Sequence, residues 1–166
     1  SNGEASYAGI TLTRADGTAC RVFEQGETMV CTYAFDVQQP GEVPVSGVIL
    51  RNQKNIVVHG KSSLMTESPA PERRNQPGRI VCRQEIQLNL ADGEYSLEVG
   101  LGFIDAAIYS RRHVLPHEEV EAAQSRSCVV SAAAMIAVVR RKQGEPMRLT
   151  HHGLCDLPGS LEMEWL

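Results

Sequence analysis

RIVCRQEIQLNLADGEYSLEVGLGFI, Arg79 to Ile104, is the stretch whose reading decides the fold. In its first half the apolar residues take even positions: Ile80, Cys82, Ile86, Leu88 and Leu90. Arg79, Arg83, Glu85, Gln87 and Asn89 alternate with them. In the second half Tyr95, Leu97, Val99, Leu101 and Phe103 share one side. A period of two residues is that of a β-strand with one dry and one wet face. Between the halves, Ala91-Asp92-Gly93 has the chemistry of a short hairpin loop, its glycine free to take positive φ. The expectation is a pair of antiparallel neighbours that sets Arg83, Glu85 and Gln87 beside Glu98, Gly100 and Gly102 on one wet face.

The same rhythm continues outward. Met29, Cys31, Tyr33, Phe35 and Val37 form one apolar face of a strand over 28–37, and Pro40-Gly41 ends it. Ala15-Asp16-Gly17 predicts a second hairpin, between Ile10–Arg14 and Thr18–Phe23. Further strands are expected at 45–51, 56–59, 128–140 and 147–150. One short helix is expected with Pro116 at its first position and Glu118 and Glu119 in its first turn. Residues 65–79, rich in Pro, Glu, Arg and Asn, read as a loop. Many short strands, Gly/Pro turns and one helix predict an all-β fold: an immunoglobulin-like or jelly-roll antiparallel β-sandwich with one short helix. Residues 1–6 read as a disordered N-terminal segment or expression remnant, and 7–166 as a single β-sandwich domain.

Bulk properties exclude several functions. The net charge of −4 comes without a long basic run, so no nucleic-acid footprint is indicated. The five cysteines, Cys20, Cys31, Cys82, Cys128 and Cys155, contain no CxxC, which argues against a zinc knuckle. Cys31 and Cys82 fall on dry faces and read as small hydrophobes, a usage suited to a reducing compartment. Gly60-Lys61-Ser62 ends like a phosphate-binding loop, but Asn55 stands where that loop needs its first glycine. Pro116 breaks the helical spacing of His113 and His117, His151 and His152 lack a further ligand nearby, and no metal or other cofactor is expected. No cysteine lies in a setting that would lower its pKa, and no carboxylate pair stands out, so no catalytic residue is nominated.

The order of the motifs carries a resemblance. Phe23-Glu24-Gln25-Gly26-Glu27 precedes a strand; Gly47-Val-Ile-Leu-Arg51-Asn52 and Ile56-Val-Val-His-Gly60 follow, then Leu90-Ala-Asp-Gly93-Glu-Tyr95-Ser-Leu97. Over roughly residues 8–155 this succession resembles the C-terminal domain of Wzt-type proteins, the ATP-binding subunits of bacterial polysaccharide ABC exporters. The resemblance implies an immunoglobulin-like sandwich that recognises lipid-linked O-antigen before export. It implies a separate upstream ATPase domain and a position on the cytoplasmic side of the inner membrane. The partners it implies are the polysaccharide and, through the parent protein, the membrane subunit of the transporter.

On that basis the candidate glycan surface is Arg83, Glu85, Gln87, Glu98, Gly100 and Gly102, with Arg51 and His59 on neighbouring strands. Of the eight aromatic residues, Tyr33, Phe35, Tyr95 and Phe103 fall on dry faces, which leaves Tyr7, Phe23, Tyr109 and Trp165 for a sugar. Leu161, Met163 and Trp165 alternate with Glu162 and Glu164 as a strand with one apolar side, and are expected to form a homodimer interface. The alternative is a sandwich that only couples two ATPase subunits and binds no glycan.

Overall fold

The computed structural model describes residues 3–66, 76–141, 153–155 and 163. Within them β1 (Ala5–Arg14), β2 (Val22–Glu24), β3 (Thr28–Val37), β4 (Val43–Asn52), β5 (Val57–Ser62), β6 (Gly78–Gln87), β7 (Gly93–Ile104) and β8 (Ser125–Val139) make two sheets. One is three-stranded, in the order β1-β3-β6; the other is five-stranded, in the order β2-β8-β7-β4-β5. The inner faces carry the alternating apolar residues. Phe35, Met29 and Cys31 from one sheet meet Leu50, Val48, Leu97 and Val99 from the other, all fully buried. Tyr33, Phe35, Tyr95 and Phe103 are buried where the alternation put them. Inside this core Ser46 Oγ donates to Gly100 O at 2.6 Å, so its lone pair accepts from the Tyr33 hydroxyl 3.1 Å away.

The outer face of the five-stranded sheet has a second, smaller core. Helices α1 (Ala106–Ser110) and α2 (His117–Ala122) fold back over the Val43/Ile104 end of the sheet. Val43, Val45 and Ile104 are buried there beneath Tyr109 and Val120. The sequence predicts one helix; the described residues form two α-helices. The signal for α1 is Asp105, whose carboxylate caps the helix by accepting from the backbone N–H groups of Ala107 and Ile108 at 2.8 and 3.2 Å. Pro116, expected as the first helical residue, is instead the N-cap of α2.

The topology corrects two expected hairpins. β6 and β7 are not neighbours: β6 pairs with β3, whereas β7 pairs with β4 and β8. The connecting chain pairs with the 25–27 loop instead, through Leu88 N to Glu27 O at 2.9 Å and Gly26 N to Leu88 O at 2.8 Å. Leu88 and Leu90 thereby drop into the core as the chain crosses between sheets. The Ala15–Gly17 turn forms, with Thr18 N donating to Asp16 Oδ1 at 2.8 Å. Past it only Thr13 and Ala19 bridge. β2 then leaves for the other sheet, where it runs parallel to β8. Gly60-Lys61-Ser62 lies within β5. Ala5 and Ser6, expected in a disordered segment, belong to β1. The strand expected at 147–150 lies outside the described residues, as do Leu161 and Trp165; Met163 is exposed.

Candidate functional site

The corrected topology divides the predicted surface. Arg83, Glu85 and Gln87 lie on the outer face of the three-stranded sheet, away from Glu98, Gly100 and Gly102. Arg83 and Glu85 there satisfy each other, at 2.7 Å, and both are well exposed. Nearby Arg79 makes a two-pronged contact with Asp36, at 2.7 and 2.9 Å, which holds the Asp36 carboxyl below its ordinary pKa. This face is a set of solvated, mutually paired charges.

The outer face of the five-stranded sheet is different. Along β4 the outward positions are Val45, Gly47, Ile49 and Arg51, and opposite them on β7 stand Gly102, Gly100, Glu98 and Ser96. The helices cover the Val45 end, and the rest is an open groove of about 420 Å³. Ile49, Gly47, Gly100 and Val129 line its floor, Arg51 and Glu98 one end, and Glu121, Gln124 and Arg126 the other. Met65 and the edge strand β5, through Gly60, Lys61 and Ser62, complete the wall.

Of the four register shifts among the described residues, one lies in the other sheet, between Tyr7 and Gly9 of β1, and three fall at polar residues of this groove. In the β4–β5 ladder the register shifts between Leu50 and Arg51. In the β7–β8 ladder it shifts between Leu97 and Val99, flanking Glu98, and between Leu101 and Gly102, opposite Arg126. At the Glu98 shift β8 carries two extra residues, and Ala132 takes φ 54°, a left-handed conformation uncommon outside glycine. The bulge sets the Ser131 hydroxyl 3.3 Å from Glu98 Oε2, while Arg51 Nη2 approaches the same oxygen at 3.7 Å. At the second shift Arg126 is exposed at the groove, while Ser127 is buried and donates to Glu4 Oε2 at 2.9 Å. The β3–β6 ladder, by contrast, runs through ten successive pairs without a shift.

The glycines differ in what they do. A Cβ on Gly47 would overlap Lys61 O and come within 2.7 Å of Ser62 Cα. A Cβ on Gly102 would overlap Ser125 O and meet Gln124 Nε2 at 3.0 Å. Both are glycine because backbone passes close by, and Gly102 serves packing rather than the groove. A Cβ on Gly100 would rest in ordinary contact, 3.7 Å from Cys128 O and Val129 Cγ2. Packing does not require glycine there, and what its absent side chain leaves is depth in the floor. His59 pairs with Leu50 and shares its inward side, outside the groove. Its Nε2 is buried without a hydrogen-bond partner, and desolvation, helped by the Lys61 charge, lowers its pKa.

Among the described residues no aromatic ring lines the groove. Phe23 and Tyr109, two of the rings set aside for a sugar, are buried in the cores. Tyr7 packs edge-on against Phe35, and Trp165 lies outside the described residues. Sequence reasoning missed Arg126, Gln124 and Ile49. The β7–β8 pairing that brings Arg126 to Gly102 was legible only as two separate strands.

The sequence profile of the Wzt C-terminal domain matches residues 1–157. The chain belongs to the Wzt C-terminal domain family. The crystal structure described as that of the C-terminal domain of wzt superposes with a TM-score of 0.72 at 12% identity, covering 98% of this chain and 85% of that one. That likeness shows the shared fold. A second solved structure, the Northeast Structural Genomics Consortium target SoR45, covers 92% of this chain and 96% of its own but reaches a TM-score of only 0.33 at 8% identity, and carries no argument. No curated protein matches the sequence. Membership makes this Wzt C-terminal domain a part of an ABC-transporter system. Among its described residues no helix is long and apolar enough to cross a membrane.

Proposed function

We propose that this Wzt C-terminal domain is a non-catalytic glycan-binding module, and that the groove on the outer face of its five-stranded sheet receives an O-antigen-like polysaccharide for export. The observation that carries the reading is the coincidence of bulges and polar groove residues. Three register shifts flank or face Arg51, Glu98 and Arg126, where a regular ladder would have been the more stable choice. Bulges re-aim side chains, and backbone strain gathers where a ligand is held. Open at its ends, walled by Arg, Glu and Gln, the groove offers donors and acceptors to hydroxyl groups along a polymer.

The parent protein would act at the cytoplasmic face of the bacterial inner membrane, with the transporter's membrane subunit as partner. Two copies would associate through the tail carrying Leu161, Met163 and Trp165. Titration of the isotope-labelled domain with polysaccharide extracted from the organism that encodes it tests the glycan reading. Backbone and side-chain shifts are expected at Arg51, Glu98, Gly100 and Arg126. Shifts confined to Arg83, Glu85 and Gln87 would move the site to the other sheet. A polymer that shifts no resonance would leave the domain as a coupling element between ATPase subunits.

A further inference from the structure

We infer that the bulge in β8 has two alternative seats, one facing Glu98 and one facing Ser96, and that the chain shifts between them as a switch at one end of the groove. The inference follows from the alternation of β8. Its neighbour β7 offers five inward places, opposite Leu101, Val99, Leu97, Tyr95 and Gly93. β8 brings six residues of the matching parity: Cys128, Val130, Ala132, Ala134, Ile136 and Val138. One of the six must be left out. In the structure it is Ala132, which stands exposed at φ 54° between Ser131 and Ala133, while Ala134 is buried opposite Leu97.

Leaving out Ala134 instead changes little. Ala132 then takes the place opposite Leu97, Ser131 pairs directly with Glu98, and Ala133, Ala134 and Met135 share the position opposite Ser96. One alanine replaces another in the core, so no cavity opens and nothing is overpacked. A slip of two residues also keeps each side chain on its own face. Any other choice costs volume. Moving the bulge the opposite way would set Ala132 where Val130 faces Val99; moving it further would set Ala134 where Ile136 faces Tyr95. Each removes buried methyl groups. The flanks stay fixed: β4 pairs with β7 without a shift, and β2 holds β8 at Ala137 to Val139. Among the described residues two side-chain hydrogen bonds reach the segment that moves, Ser131 Oγ to Glu98 Oε2 and Arg21 Nη1 to Met135 O, both exposed and both 3.3 Å long. Ala133, partly buried against the core, adds a small bias toward the present seat. The consequence for the site rests on the glycan reading. A bulge bends its strand and sharpens the local twist. Glu98 lines the groove and Ser96 does not, so only the first seat bends the sheet at the Arg51–Glu98 end. A ligand that touches Glu98 in that seat draws the chain into it.

Two mirror substitutions test this, read by NMR on the whole 166-residue domain. Glycine accepts positive φ without the cost that alanine meets there, a difference of about tenfold in an equilibrium. The unsubstituted domain is expected to show microsecond-to-millisecond exchange at Leu97, Glu98 and Ser131. Ala132→Gly should hold the bulge at Glu98 and suppress that exchange. Ala134→Gly should draw the bulge to Ser96, so that the cross-strand contacts of Leu97 pass from position 134 to position 132. Affinity for polysaccharide extracted from the encoding organism should be kept in Ala132→Gly and fall several-fold in Ala134→Gly. A folded Ala134→Gly in which position 134 still faces Leu97 would overturn the two seats. Should that variant not fold, exchange that is absent from the unsubstituted domain, or unchanged by Ala132→Gly, would overturn them equally. A bulge that moves while affinity stays constant would overturn its link to the groove. A polysaccharide that binds none of the three proteins would remove the glycan reading and leave the two seats standing.

Discussion

Gly100 sets stability against binding, and replacing it by alanine separates the two. A glycine within a strand costs conformational entropy on folding, roughly 0.5–1 kcal/mol relative to alanine. The new Cβ would sit 3.7 Å from Cys128 O and from Val129 Cγ2, an ordinary van der Waals distance, so no strain offsets the gain. For a domain of this size each kcal/mol shifts the melting temperature by about 2–4 °C. Gly100→Ala should therefore melt roughly 1–4 °C higher by calorimetry. The same methyl group shallows the floor where the ligand is proposed to lie, and affinity for the polysaccharide should fall several-fold. Gly100→Val should lose more. Gly47→Ala is the control in the opposite sense: its Cβ would come within 2.7 Å of Ser62 Cα, and overpacking of that kind destabilises by about 1–3 kcal/mol. If Gly100→Ala is more stable and binds as tightly as the parent, no ligand crosses that floor. If it is less stable, the geometric argument for an unforced glycine is wrong.

Three other outcomes are expected. Tyr33→Phe removes the phenol that donates to Ser46 Oγ and should cost about 0.5–1.5 kcal/mol in urea unfolding, because Ser46 keeps its bond to Gly100 O. His59 binds a proton less readily folded than unfolded, since burial first and Lys61 second lower its pKa from 6.5. Its contribution to stability is thus present at higher pH and is lost as the pH falls through about 6.5 toward the lowered folded value, an acid-side loss that should be smaller in His59→Phe. Truncation after Pro158 removes Leu161, Met163 and Trp165 and should convert the proposed dimer to monomer by light scattering; an unchanged mass would clear the tail of that role.

Alternation proved a sound guide to faces and a poor guide to neighbours, for a physical reason. Whether Leu97 or Glu98 points inward is settled locally, by the pleat and the cost of burying a charge. Whether β7 lies beside β6 or beside β8 depends on which edges are free, and a two-sheet core accepts the same dry face from either sheet. Leu88 and Leu90 show the ambiguity: they continue the inward rhythm of β6, yet they belong to the crossing between sheets. The predicted site shared that fate. Arg51, Glu98 and Gly100 come together because β4 and β7 pair, whereas Arg83, Glu85 and Gln87 depended on a hairpin that does not form. Arg126 escaped notice because its place is set by the shift between Leu101 and Gly102, where Ser127 is the extra residue of β8 and no glycine or proline in β8 marks it.

A groove with no ring among its described residues has a consequence for how such a domain would hold a polymer. Each hydrogen bond from Arg51, Glu98, Gln124 or Arg126 replaces one to water and nets about 0.5–1.5 kcal/mol, somewhat more where the protein group is charged. A handful of these gives about 4–5 kcal/mol, a dissociation constant near 1 mM for a single repeat. Specific retention would then come from repetition. A long chain would offer the proposed site many equivalent registers, and two grooves on the proposed dimer would make the second contact intramolecular, raising apparent affinity by about 100-fold or more when the polymer spans both. Binding should therefore strengthen with chain length well beyond the number of sugars one groove can hold. The Pro158 truncation should abolish most of that gain while leaving the affinity for a short oligosaccharide unchanged. A short fragment bound as tightly as the full polymer would require a deep, ring-lined pocket, which the described residues of this sheet's outer face do not form.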